Sequence, residues 1–171
     1  MTALALWTGW GDTVPAAALG DEIKIAFLYN FAKFVEWPEQ APANGTDHFT
    51  ICLVGDDEIV HAADRMLRDK QVQGRQVETR GLHTPDEARI CHILFLDYPQ
   101  IDLAKQAWRV ARTMPILTVG ESEPFLRSGG IIKFVTEDGK LRFEISTQAA
   151  ARVHLKISSK LLKLGRIVED P

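Results

Sequence analysis

The distribution of apolar positions divides the chain into alternating helical and strand-like periods. Over residues 22–36, Ile23, Ala26, Phe27, Phe31, Phe34 and Val35 recur at three- and four-residue steps, which predicts one apolar face of a helix ended by Pro38. Five aromatic residues (Phe27, Tyr29, Phe31, Phe34 and Trp37) fall between this segment's Phe27 and Pro38. Their spacing reads either as core packing or as a contact surface with Asn30 and Lys33 as its polar members. A Pro/Asn/Gly-rich loop at 38–47 then leads into the β-branched run 49–55, a buried strand. Asp56 or Asp57 caps a helix to about residue 69. A more polar strand around Gly74 spans Val72 to Arg80, and a loop covers 81–89. Residues 90–97 form a second buried strand. A helix over 101–113 follows, with Leu103, Ala107, Val110 and Ala111 on one side, and 115–120 is a third buried strand.

After Gly120 the period changes. Gly129-Gly130 precedes the run 131–135, and Glu137-Asp138-Gly139 is a turn signal before 141–145, so these segments form an antiparallel hairpin at one sheet edge. Ser146 or Thr147 caps a closing helical region that Ser158 restarts. Held on one continuous helix, Arg152, Lys156, Lys160, Lys163 and Arg166 would form a cationic stripe. The whole predicts a single-domain α/β protein, a Rossmann-like three-layer sandwich with a mostly parallel sheet and a C-terminal antiparallel hairpin, over residues 21–168.

Composition sharpens this picture. The 171 residues, 46% hydrophobic and 25% charged, suit one domain with a full core. A net charge of −3 offers no field for nucleic acid. Residues 1–20 contain no Lys or Arg, and an apolar stretch followed by Pro15-Ala16-Ala17-Ala18 resembles the end of a signal peptide, so 1–20 reads as an export remnant or a disordered N-terminus. Cys52 and Cys91 both lie in predicted buried strands. They are two core thiols in a cytosolic protein or a disulfide in an exported one.

Catalytic signatures are sparse. Asp56-Asp57 after one strand, Asp97 at the end of another and Thr118 near the next resemble the phosphoacceptor pocket of a response-regulator receiver, but Lys133 sits inside a hairpin strand where a receiver has its strand-end lysine. Neither a GxGxxG nor a P-loop occurs, and the five histidines and two cysteines form no HxxxH or CxxC pair. No cofactor, metal ligand or catalytic residue is therefore assigned.

Four stretches together resemble the YfiR-like periplasmic proteins: residues 25–38 from Ile25 to Pro38; Ile51-Cys52-Leu53-Val54-Gly55; the Gly-Gly hairpin ending in Arg142-Phe143-Glu144-Ile145; and Ile157-Ser158-Ser159-Lys160-Leu161-Leu162. The resemblance covers about residues 22–168. It implies a periplasmic protein that restrains an inner-membrane diguanylate cyclase by binding its periplasmic portion, with an outer-membrane OmpA-like lipoprotein as a second partner that sequesters the inhibitor. Release of the cyclase then raises cyclic-di-GMP and biofilm formation. It also implies a homodimer and two disulfides. Cys52 and Cys91 match one bridge, whereas the segment around Leu126 to Lys133 has no cysteine for the other.

The expectation is thus a non-enzymatic periplasmic regulator. Asn30, Lys33, Arg142 and Glu144 are its partner- or ligand-binding candidates, because polar groups embedded in apolar motifs usually have a specific partner. Two alternatives stand beside it. One is a small-molecule sensor with a pocket at the sheet edge lined by the aromatic helix; the other is a receiver-like phosphoacceptor on Asp97.

Overall fold

The computed structural model describes residues 16–97 and 101–169, so most of the expected export segment, residues 1–15, lies outside the described residues. Helix α1 runs Ala16–Phe34, and β1 (Val35–Glu36) follows it directly. The next elements are β2 (His48–Val54), α2 (Asp57–Leu67), β3 (Gln71–Val72), β4 (Arg75–Gly81), a 3₁₀ turn at Pro85–Ile90 and β5 (Ile93–Leu96). Helix α3 (Ile101–Ala111), β6 (Leu117–Gly120), β7 (Ile132–Glu137) and β8 (Lys140–Ile145) come next. The chain closes with α4 (Thr147–Arg152), β9 (Lys156–Ile157), α5 (Ser159–Leu162) and β10 (Arg166–Ile167).

Eight strands form one sheet in the order β10-β8-β7-β6-β5-β2-β4-β3. Strands β4, β2, β5, β6 and β7 are mutually parallel, β7 and β8 are antiparallel, and β10 adds to β8 in parallel. The chain leaves β2 toward β4 on one side and returns to β5 on the other. The carboxyl ends of β2 and β5 therefore bound a topological switch point, where open α/β sheets usually bind ligands.

Two apolar layers cover the sheet. On one face Ile25, Leu28, Phe31, Ala32 and Val35 of the α1 segment join Ile59, Ala63 and Leu67 of α2 against Ile51, Leu53, Ile93, Phe95, Phe134 and Phe143. Phe31 lies 5.0 Å from Phe143 and 5.9 Å from Phe134, ring centre to ring centre. Burying each such ring contributes about 1.5–3 kcal/mol. The aromatic helix thus packs the core rather than lining a pocket. On the other face Ala107 and Ala111 of α3 pack with Leu94, Leu96, Phe125 and the Cys52–Cys91 pair.

The α/β sandwich matches the expectation, but four local readings change. The buried stripe of α1 is Ile25, Leu28, Phe31 and Ala32, while Ile23 and Ala26 are exposed. The segment is apolar nearly all round, so periodicity alone could not orient it. The helix also stops at Phe34, because Val35 and Glu36 pair with Ile157 and Lys156 of β9 and Ser158 N–H donates to the Phe34 carbonyl. That pairing breaks the C-terminal region into α4, β9 and α5, so the basic residues from Arg152 to Arg166 share no single helix. The hairpin is not the sheet edge, since β10 lies beyond it.

Turn chemistry accounts for the rest. Asp138 and Gly139, at φ 51° and 72°, make the tight turn that Glu-Asp-Gly signalled, and Gln73-Gly74, at 52° and 76°, divide the polar strand into the β3–β4 hairpin. The expected loop at 81–89 contains the 3₁₀ turn, entered where the Glu87 carboxylate accepts the N–H groups of His83 and Thr84 at 2.8 and 3.1 Å.

Candidate functional surface

Strand alternation decides where the candidate residues point. Phe134 and Phe143 turn toward α1, so Lys133, Arg142 and Glu144 occupy the opposite face of β7 and β8. Asn30 and Lys33 lie exposed on α1, which covers the first face. Lys33 Nζ rests 4.7 Å from the centre of the Tyr29 ring, a cation–π contact. The structure therefore brings Arg142 and Glu144 to one surface and leaves Asn30 and Lys33 on the other side of the sheet.

The Arg142–Glu144 surface is a charge network on strands. Lys133 is almost completely buried and places Nζ 3.2 Å from Glu144 Oε2 and 3.5 Å from Glu123 Oε1. Register sets Lys133 opposite Glu144, and Arg166 of β10 opposite Glu144 on its other side. Arg166 donates Nε to Glu144 Oε1 at 3.0 Å, with Nη2 on the same oxygen, and its Nη1 reaches Glu137 Oε1 at 3.0 Å. Burial works to raise the Glu144 acid, but the hydrogen bonds and charges of Arg166 and Lys133 outweigh it and hold the carboxyl below its usual range. Arg142 is the looser member. Its side chain is 59% exposed and its nearest acid, Glu137, is 3.9 Å away. Glu144 is thus an internal anchor of the network, and Arg142 its exposed member, held only by a long contact to Glu137.

The aromatic opening segment ends in a second polar cluster at the amino ends of β2 and β5. Trp37 Nε1 donates to the His92 carbonyl at 3.1 Å, and the Trp37 ring meets Phe49 edge-on at 5.1 Å. His92 is fully buried. Its Nδ1 accepts the Thr50 N–H at 3.1 Å, which puts the ring proton on Nε2, 3.3 Å from Asn44 Oδ1. Arg75 Nη1 stands 3.1 Å from the same Nε2 and its Nη2 donates to Asn44 Oδ1 at 3.3 Å. Burial, with the Arg75 charge behind it, lowers the His92 pKa to about 3. Next to it, Cys91 is disulfide-bonded to Cys52 with Cα atoms 5.8 Å apart. Sequence reading did not single out His92, although an imidazole opening an otherwise apolar run was a usable signal.

Asp56, Thr118 and Lys133, which entered the receiver comparison, have local structural duties. Asp56 Oδ1 accepts the Ile59 N–H at 3.0 Å and so caps α2, as the sequence suggested. Thr118 is buried and accepts the Ile131 N–H at 3.2 Å. Lys133 is engaged with Glu144. Among the described residues no group of three or more His, Cys, Asp or Glu side chains is placed to hold a metal ion.

These features fall inside a recognisable family. A family profile described as YfiR/HmsC-like matches residues 21–166, most of the chain, from Asp21 within α1 to the first residue of β10. The chain belongs to the YfiR/HmsC-like family. No curated protein matches it. The YfiR/HmsC-like match takes in the aromatic helix, the bridged cysteines, the β7–β8 hairpin and the Glu144–Arg166 pair, so the clusters described above belong to the family domain.

Proposed function

We propose that this protein is a periplasmic, non-enzymatic regulator that restrains an inner-membrane diguanylate cyclase by binding its periplasmic portion, lowering cyclic-di-GMP and biofilm formation. Membership of the YfiR/HmsC-like family across residues 21–166 is the observation that carries this reading. The Cys52–Cys91 bridge supports it, since disulfides persist in oxidising compartments such as the periplasm. Restraint needs no chemistry of its own. A partner that binds the inactive cyclase more tightly than the active one shifts the equilibrium by that difference, about 1.4 kcal/mol for each factor of ten.

The charged face of β7, β8 and β10 suits such docking. Lys133, Glu144 and Arg166 hold one another in place, so Arg142 is presented from a stiff base rather than a loop. A partner with a carboxylate opposite Arg142 would find a pre-positioned guanidinium. An OmpA-like lipoprotein of the outer membrane is the proposed competitor for the inhibitor, and a homodimer its proposed resting form. The test is co-purification of the cyclase's periplasmic portion with wild-type protein and with Arg142→Glu. Capture by the wild type and loss in the variant are expected; equal capture would remove this face from the account, and no capture by the wild type would remove the cyclase.

A further inference from the structure

The strongest feature outside the charged face is a hollow of about 240 Å³ at the carboxyl ends of β5 and β6, beside the switch point. Its walls are apolar and aromatic: Leu96 from β5, Ala104 and Trp108 from α3, and Phe125 from the loop after β6. Asp97 and Glu121 stand in its lining at the ends of the two strands. The walls are held rigidly. A Cβ on Gly120 or Gly130 would come within 2.8 or 2.3 Å of the Phe125 ring, so the ring lies flush on two stretches of bare backbone, and Trp108 packs 5.8 Å from it. This explains the Gly129-Gly130 pair better than the hairpin does. The second glycine makes room for a pocket wall.

The electrostatics of the hollow have one dominant sign. Glu121 Oε1 is shut off from solvent and lies 2.7 Å from Lys24 Nζ, which also stands 3.6 Å from Asp21 Oδ1. Burial opposes the Lys24 charge, but Glu121, Asp97 and Asp21 together hold the ammonium firmly protonated. Asp21 loses its proton less readily than usual, through burial and through the charges of Asp97 and Asp56, so these carboxylates share one local field. Three acids, Glu121, Asp97 and Asp21, thus act on the one Lys24 ammonium, and Asp56 adds its charge at Asp21. Lys105, the cation in the lining itself, is exposed and can carry its charge into solvent.

We infer that this hollow is a binding site for a small organic cation, an ammonium carried on a single ring. Aromatic walls reward both the ring and the charge, and the field of Asp97, Glu121, Asp21 and Asp56, which Lys24 offsets only in part, favours a cation and opposes an anion. The volume falls below the roughly 300–1,000 Å³ typical of pockets for drug-sized ligands, which limits the occupant to about one ring. The site does not rest on the cyclase reading, and its test uses the isolated protein, so either can fail without the other.

Benzylamine, protonated at neutral pH, is the probe, with benzoate and benzyl alcohol as the anionic and neutral matches. Titration calorimetry on the whole chain at low salt should give saturable binding of benzylammonium, roughly tenfold or more tighter than either match. Glu121→Gln removes a carboxylate from the lining and leaves the Lys24 charge without its closest acid, and should weaken binding several-fold. Ala104→Phe fills the hollow from a half-buried position on α3 and should abolish binding whatever Glu121→Gln does to folding. Absence of saturable benzylammonium binding, equal binding of benzoate or benzyl alcohol, or unchanged binding in Ala104→Phe would each overturn the assignment.

Discussion

Acidification should unfold this protein through His92 before most of its carboxylates take part. In the native state the ring has no solvent contact, Nδ1 faces the Thr50 N–H and Nε2 faces Asn44 and the Arg75 guanidinium. A second ring proton would oppose the Thr50 N–H and add a charge beside Arg75. The native pKa is about 3 against an unfolded value of 6.5, so between those limits the unfolded chain binds more protons. Stability from this group is therefore complete above pH 6.5 and is lost as pH falls toward 3. The loss approaches 1.36 kcal/mol per pH unit. Between pH 7 and pH 5 it amounts to roughly 2 kcal/mol, a sizeable part of the total for a marginally stable domain. The assay is urea unfolding at pH 7, 6 and 5 for the wild type and His92→Asn, which keeps an acceptor near Nδ1 but does not titrate. The variant should start less stable and change much less over this range. Comparing the two subtracts the contribution of His48, His61, His83 and His154, all exposed. A wild-type loss below about 0.5 kcal/mol, or an equal loss in His92→Asn, would refute the reasoning.

Three other predictions address different parts of the structure. Replacing Cys52 and Cys91 together by Ala, or reducing the bridge, should lower stability by about 4 kcal/mol for a closed loop of this length, read as a drop in the urea midpoint under reducing conditions; no change would mean that the bridge is not formed in the folded protein. Gly130→Ala should cost about 1–3 kcal/mol by thermal unfolding, because the new methyl meets the Phe125 ring, and a neutral result would show that the ring can move aside. Glu144→Gln should cost about 1–3 kcal/mol at neutral pH, since it strips Lys133 of its closest acid. The native Glu144 carboxyl has a lowered pKa, so its contribution is present above the unfolded value and disappears as pH falls through the native one. The gap between wild type and variant should narrow on acidification; a gap independent of pH would point to packing rather than charge.

The sequence disclosed what local chemistry determines. Apolar β-branched runs, the Asp56 cap, the Asp138-Gly139 turn and the alternation of strands with helices all reappear in the structure. So does the proximity of Cys52 and Cys91, because both precede or occupy strands that become neighbours. What could not be read locally depends on distant partners. Val35 and Glu36 leave the helix only because Lys156 and Ile157 are there to pair with them, and the C-terminal basic residues lose their helix for the same reason. The candidate surface was half legible. Arg142 and Glu144 stand together because they are two apart on one strand, but Asn30 and Lys33 are separated from them by the sheet itself. Glu144 looked like a contact residue because it interrupts an apolar motif, and its interruption has an internal cause in Lys133 and Arg166.

The central claim is that this protein lowers cyclic-di-GMP by holding a membrane cyclase inactive. Its most direct test measures cellular cyclic-di-GMP and surface attachment in cells with the gene intact, deleted and restored, each with and without the membrane cyclase. Deletion should raise both quantities, restoration should return them, and removal of the cyclase should erase the difference. Unchanged cyclic-di-GMP on deletion, with the cyclase present and active, would contradict the claim.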